Sequence, residues 1–233
     1  MVLSAMVHHR CQVAPGLHVA WAAVAHRARA LEALLDDDER AAWHALPPGE
    51  PRNSYAAAHG LLRLELSRQT GRAPRDWRFA PDPFGKPALR RAPGLPPLAF
   101  NLSHTRGLVA CVVSDGARYR VVGVDVEVVR ATARLPALAA RYFSRAEQGE
   151  LAALPAAERP ARFFALWTLK EAWAKARGYG LAAPFDRVSF MLDPSGASAR
   201  VSFAAGFPDA ADGWRFELRA LDGGHVLALA AAA

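Results

Sequence analysis

Lysine is nearly missing from this chain: of 29 basic residues, only Lys86, Lys170 and Lys175 are not arginine. Cysteine is as scarce. Cys11 and Cys111 exclude a disulfide framework and the paired spacings of a zinc site, which makes a reducing, cytoplasmic setting the expectation. No run approaches the ~18 consecutive apolar residues of a membrane span, because Arg, Asp or Pro cuts each Ala-rich stretch. Met1 to Gly16 lacks a cationic start followed by an apolar block, so no signal peptide is expected. Low-complexity repeats and flexible linkers are lacking too. With 52% hydrophobic and 22% charged residues, neither disorder nor a fibre fits the composition, and 233 residues make one large domain or two small ones.

What charge there is divides unevenly. Residues 1–120 hold 16 basic and 10 acidic side chains, whereas 121–233 hold 13 and 12, so the first half carries nearly all of the net +7. A basic half suits an anionic ligand or partner, without separating nucleic acid from a phosphorylated cofactor or an acidic protein. Where arginine serves almost everywhere, a lysine marks a place that calls for a compact ammonium on a flexible stem, unless chance put it there.

Leu31–Leu46 reads as helical with an acidic turn at Asp36–Glu39, interrupted by Pro47, Pro48 and Pro51. The 3.6-residue spacing of Tyr55, Ala58, Leu62 and Leu66 predicts a helix over Ser54–Gln69, ended by Gly71. Residues 80–97 form a Pro- and Gly-rich loop or arm. Strands are predicted at Ala99–Leu102, Leu108–Ser114 and Tyr119–Val129, the last two joined by a turn at Asp115-Gly116. A second helix spans Pro160–Arg177, and further strands cover Phe185–Leu192, Trp214–Leu221 and His225–Ala230, with a turn at Asp222-Gly223-Gly224. Each half thus reads as helix followed by strands, a weak rhyme compatible with a duplicated α+β unit.

Four stretches could carry chemistry. In Val121–Val129, alternate side chains share a face, so Asp125 and Glu127 point together. Two carboxylates among valines repel each other unless a cation joins them, and hard oxygen donors of this kind suit Mg²⁺; the plain alternative is an amphipathic strand with a wet face. On the second helix, Trp167, Glu171 and Lys175 lie four apart on one face. They form either a surface Glu–Lys pair or a carboxylate that joins the metal or takes a proton, beside an ammonium that meets a phosphate. Asn101-Leu102-Ser103-His104-Thr105 leaves a strand for a loop and offers hydroxyl, imidazole and backbone donors to phosphate oxygens; no GxSxG elbow is present. Phe84-Gly85-Lys86-Pro87 places the remaining lysine after a glycine that lets backbone approach a ligand.

Taken in order, Gly85-Lys86-Pro87, Asn101-Leu102-Ser103-His104, Gly123-Val124-Asp125-Val126-Glu127, Phe143-Ser144-Arg145-Ala146-Glu147, Trp167-Thr168-Leu169-Lys170-Glu171 through Lys175, and Gly178-Tyr179-Gly180-Leu181 resemble the 4′-phosphopantetheinyl transferases of the two-lobed, surfactin-type group. The blocks span residues 85–181, and the helix Arg52–Leu66 is similar to the family's N-lobe helix. One departure stands out: His59 precedes Gly60-Leu61-Leu62-Arg63 where many members have Arg. The resemblance implies an α+β fold with a pseudo-two-fold arrangement of two similar lobes, each a helix packed on a small, mostly antiparallel sheet. Residues 1–120 would form the N-terminal lobe on the coenzyme A nucleotide side, and 121–233 the C-terminal lobe with the metal and the catalytic helix.

It also implies transfer of the 4′-phosphopantetheine arm of coenzyme A to a serine of an apo acyl or peptidyl carrier protein, releasing 3′,5′-ADP. Asp125, Glu127 and Glu171 would hold Mg²⁺. Glu171 would also serve as base, and Lys175 would neutralise the departing phosphate. Lys86, Ser103, His104, Asp125, Lys170 and Lys175 would bind the cofactor, with Arg52 as a helper; Glu147 matches a family motif by position, with a structural role as the alternative. An acidic carrier protein complements the basic half. A two-lobed member completes its site in one chain, so a monomer is expected, with no nucleic acid and no membrane. A restriction-type nuclease would also use strand carboxylates and a lysine, but it needs Glu/Asp-x-Lys at the second carboxylate, and Val128 and Val129 follow Glu127. A non-catalytic carrier-protein-binding module would have no reason to keep both carboxylates and both lysines.

Overall fold

The computed structural model describes residues 8–24, 31–81, 87–90 and 94–233. The chain divides into two compact units, Met1–Arg120 and Val121–Ala233.

In the first unit, strands β1 (His8–Ala14) and β2 (Leu17–Ala23) form a hairpin, followed by helices α1 (Asp37–Ala45) and α2 (Glu50–Thr70). A short ribbon of β3 (Phe79–Pro81) and β4 (Pro87–Leu89) and a hairpin of β5 (Ala99–Thr105) and β6 (Leu108–Ser114) complete it. The main sheet is antiparallel in the order β1-β2-β6-β5. Helix α2 starts with proline in its first turn and stops at Gly71, whose φ of +76° is the left-handed cap that glycine adopts without steric cost. Its apolar face lays Ala57, Leu61 and Leu64 on Ala20, Ala22, Val109 and Cys111 of the sheet.

The second unit opens with β7 (Val121–Val128) and continues through α3 (Leu135–Tyr142), α4 (Arg145–Ala153) and α5 (Arg159–Arg177). A ribbon of β8 (Val188–Leu192) and β9 (Ala199–Phe203) and a hairpin of β10 (Arg215–Leu221) and β11 (His225–Ala232) follow. The sheet is antiparallel in the order β10-β11-β7, and α5 lies across it. Phe163, Leu166, Leu169 and Trp173 of α5 join Ala228, Ala230 and Phe216 of the sheet in one aromatic-rich core.

The order strand, helices, ribbon, hairpin occurs in both units, a closer correspondence than helix followed by strands. The sequence reading missed β1, β2, the first ribbon and β9, whereas its strand at Phe185–Leu192 contains β8. It also joined β6 to β7 through Asp115-Gly116, whereas those strands belong to different sheets and the turn leads from one unit to the next.

A buried polar strut repeats as well. In unit 1, Asp36 and Glu39 close a capping box on α1, and the same Glu39 carboxylate accepts from the buried Arg63 guanidinium of α2. Arg63 Nη1 in turn donates to the carbonyls of Pro74 and Trp77, just ahead of the ribbon. In unit 2, Ser144 and Glu147 close a capping box on α4, and Glu147 pairs with the buried Lys170 of α5 at 2.9 Å. Lys170 donates to the carbonyls of Phe185 (2.6 Å) and Val188, again at the start of the ribbon. Each buried cation therefore has anion and carbonyl partners on several sides, the condition under which burying it is tolerable.

Candidate active site

Gly123 sets the geometry of the second unit's site. A Cβ there would lie 2.0 Å from the Ala172 carbonyl oxygen and 2.6 Å from the Ala176 amide nitrogen. Only glycine lets the backbone of α5 come this close to β7. Because strand residues alternate, Asp125 and Glu127 share Gly123's face and so turn toward α5. The helix answers with Glu171 and Lys175, four residues apart on the row that begins at Trp167.

Lys175 Nζ donates to Asp125 Oδ1 at 2.6 Å. Asp125 is 5% exposed. Burial pushes the Glu171 carboxyl up to about 7, and the neighbouring charges of Asp125 and Glu127 add to this while Lys175 opposes it. Glu127 is also raised, by burial first and Asp125 second, against Arg130, Lys175 and a hydrogen bond with Trp167. Three carboxylates thus share one field that holds more negative charge than the site accommodates easily. Among the described residues they do not form a preformed metal cage. Positive charge is set against them by the Lys175 ammonium and, at Glu127, by Arg130.

The registers of the two sheets show what the fold itself requires here. Cys111 pairs with Ala20 and Leu102 in unit 1, as Ala228 pairs with Asp125 and Leu218 in unit 2. Gln69 bonds His18 at 3.0 Å, as the Ala176 backbone meets Gly123. With Arg63 and Lys170 as equivalent strut cations, these helix–strand contacts make Ala20 the counterpart of Asp125, Ala22 of Glu127 and Leu64 of Glu171. The same framework therefore closes over two alanines and a leucine. Its packing does not call for acids at these three places, where their desolvation would work against folding.

The other residues singled out in the sequence take varied places. Lys170 does not face a cofactor: its side chain is fully buried, and its ammonium is engaged by Glu147, Phe185 O and Val188 O. Glu147, which also accepts from the backbone of Ser144 and Phe190, is the other half of that strut, so its role is structural. Arg52 belongs to the packing of α1. Its Nε and Nη2 donate to the carbonyls of Leu46 (2.6 Å) and His44 (2.8 Å), where the helix leaves carbonyls unsatisfied. Ser103 and His104 lie within β5, which runs on to Thr105, so their side chains turn to opposite faces instead of converging in a loop; Ser103 is buried and His104 exposed. Lys86 and Gly85 lie outside the described residues. His59, the departure from the family pattern, shares a 2.7 Å hydrogen bond with Glu39 and stacks on Tyr55. Burial would raise the Glu39 carboxyl, but the hydrogen bond and charge of His59, together with Arg63, hold it below the usual range.

The sequence reading overlooked Gly123 as a positioning residue. Its signal was a glycine two residues before the first acid in a strand otherwise made of valines. It overlooked Trp167 as Glu127's partner as well.

The model of the 4′-phosphopantetheinyl transferase superfamily matches residues 121–230, the span that contains all four site residues. The chain is 35% identical over 165 residues to the 4′-phosphopantetheinyl transferase HetI of Nostoc sp., a match covering 71% of this chain and 68% of that one. It is 31% identical over 172 residues to Sfp of Bacillus subtilis, covering 74% and 70%. AcpT of Salmonella typhimurium is 36% identical over 132 residues, covering 57% and 62%.

Proposed function

This chain belongs to the 4′-phosphopantetheinyl transferase superfamily, in its surfactin-type group, and on that premise we propose that it moves the 4′-phosphopantetheine arm of coenzyme A onto a serine of an apo acyl or peptidyl carrier protein. The observation that carries this reading is the Asp125–Lys175 pair beside Glu171, built where the matching fold of unit 1 manages with Ala20, Ala22 and Leu64.

In the transfer, the carrier serine Oγ attacks the phosphorus that bears the pantetheine arm. A P–O bond forms there while the bond to the adenosine 5′-phosphate breaks, and 3′,5′-ADP leaves. The serine proton goes to Glu171, directly or through water, because a carboxylate beside the attacking hydroxyl can take it as the bond to phosphorus forms. Lys175, with a flexible stem and a compact charge, reaches the oxygen on which negative charge grows.

The donor set fits Mg²⁺: carboxylate oxygens are hard ligands, and this ion keeps waters and takes substrate phosphates in place of a full protein cage. Asp125, Glu127 and Glu171 would hold it, and when bound it would polarise the pyrophosphate oxygens. Coenzyme A would draw on Lys86 and on Ser103 or His104. An acidic carrier protein complements the basic residues of 1–120.

Mass spectrometry of an apo carrier protein incubated with the enzyme, coenzyme A and Mg²⁺ tests the proposal. The expected result is a serine bearing the phosphopantetheine arm, with none formed in the presence of EDTA. Unmodified acyl and peptidyl carriers, with folded enzyme and intact coenzyme A, would overturn it.

A further inference from the structure

We propose that the Lys175 ammonium is the resident cation of the carboxylate site, occupying Asp125 until a divalent metal displaces it, so that metal binding is an exchange of cations. The inference rests on the reading of this site as a metal-dependent transferase centre and adds an order of events to it.

Four observations carry it. Lys175 Nζ lies 2.6 Å from Asp125 Oδ1, so a metal ligated by this carboxylate competes with the ammonium for its negative charge, and for the same oxygen if it binds through Oδ1. Asp125 is nearly inaccessible, so in the free enzyme its charge depends on a nearby counter-charge. The Lys175 side chain, by contrast, is 29% exposed and sits in the last turn of α5, before the Gly178 cap, so its arm has room to leave. Lys170, five residues earlier, is fully buried and held by an acid and two carbonyls; it is built to stay.

The comparison with unit 1 points the same way. The position equivalent to Lys175 is Arg68, which pairs with Glu65 on its own helix, while Ala20 stands where Asp125 would be. A basic residue at this place in the fold thus has no strand acid to neutralise in unit 1 and gains one only where the acids are present. Lysine at 175, in a chain that uses arginine for nearly every other cation, suits a charge that must move: a point charge on a four-carbon stem releases one carboxylate oxygen more readily than a bidentate fork. Once released, the ammonium is free to meet the phosphate that arrives with the metal.

The consequence runs against the usual expectation for an active-site residue: removing Lys175 should improve metal binding by the free enzyme. Mn²⁺ is the probe, measured by electron paramagnetic resonance or water-proton relaxation at fixed pH and salt, without coenzyme A or carrier. Lys175→Met should bind Mn²⁺ about five-fold more tightly than the unmodified enzyme, equivalent to the ~1 kcal/mol of a partly exposed ion pair. Asp125→Asn should lose binding with or without Lys175→Met. If Lys175→Met binds no more tightly while Asp125→Asn still loses the ion, the exchange is wrong and the metal site stands. If Mn²⁺ binds all variants alike, the site reading and the exchange fall together. Lys175→Gln provides the same test should methionine disturb the fold, which circular dichroism checks.

Discussion

Gly123→Ala should damage stability and turnover together, through a contact far smaller than a side chain. The added methyl carbon would meet the Ala172 carbonyl oxygen at 2.0 Å, where real Cβ contacts essentially never fall below 3.0 Å, so α5 must retreat from β7 by about 1 Å. Overpacking of this kind costs about 1–3 kcal/mol, and for a chain of this length that lowers Tm by roughly 3–10 °C. The same retreat carries Glu171 and Lys175 away from Asp125, and a misplacement of ~1 Å can cost about 10²-fold in rate. The assay pairs thermal unfolding by circular dichroism with kcat from 3′,5′-ADP release on a carrier protein. Ala176→Gly, added to Gly123→Ala, removes only the most distant of the three clashing atoms, a Cβ at 3.0 Å, so it should not restore activity. Wild-type Tm and kcat in Gly123→Ala would refute the close approach of helix and strand, and full rescue by Ala176→Gly would show that the backbone contact is not the constraint.

Glu127→Gln should abolish transfer without lowering Tm, because it removes one of three repelling carboxylates; a marked loss of stability would show that Glu127 serves the fold. Lys170→Met should cost about 3–5 kcal/mol by leaving Glu147 buried and uncompensated, and KM for coenzyme A should hold in the protein that remains folded. A raised KM with normal stability would return Lys170 to the cofactor. In metal-free enzyme, Glu171 binds its proton more tightly folded than unfolded, so its contribution favours folding at low pH and fades as pH rises from about 4.5 to about 7. Urea midpoints at pH 5 and pH 8 should therefore differ less for Glu171→Gln than for the parent, and identical slopes would contradict the raised carboxyl.

Local periodicity determined a good part of this protein. The two-residue step from Asp125 to Glu127 and the four-residue steps from Trp167 through Glu171 to Lys175 are properties of strand and helix geometry, so the shared faces could be read before any packing was known. Helix ends at Gly71 and Gly178 were legible for the same reason: the left-handed cap is a requirement on one residue. Family membership was carried by short blocks in order, each of them local.

Tertiary structure decided the rest, because the deciding contacts join residues far apart in the chain. Lys170 and Glu171 are neighbours in sequence, yet Glu147, on another helix, and the carbonyls of Phe185 and Val188 draw Lys170 into the core while Glu171 turns toward β7. Nothing in the string Leu169-Lys170-Glu171 assigns those opposite fates. Ser103 and His104 resembled a loop because polar residues end many strands, but pairing with β6 extends β5 to Thr105 and sends the two side chains apart. Arg52, expected as a helper toward phosphate, gives its Nε and Nη2 to the carbonyls of Leu46 and His44, a role in the end of α1 that no local pattern announced. The equivalence of Ala20, Ala22 and Leu64 with Asp125, Glu127 and Glu171 exists only in the strand registers and helix contacts, since alanine and leucine carry no trace of the acids at the corresponding places. Sequence can say which side chains share a face of one element; only the packing of elements says what that face meets.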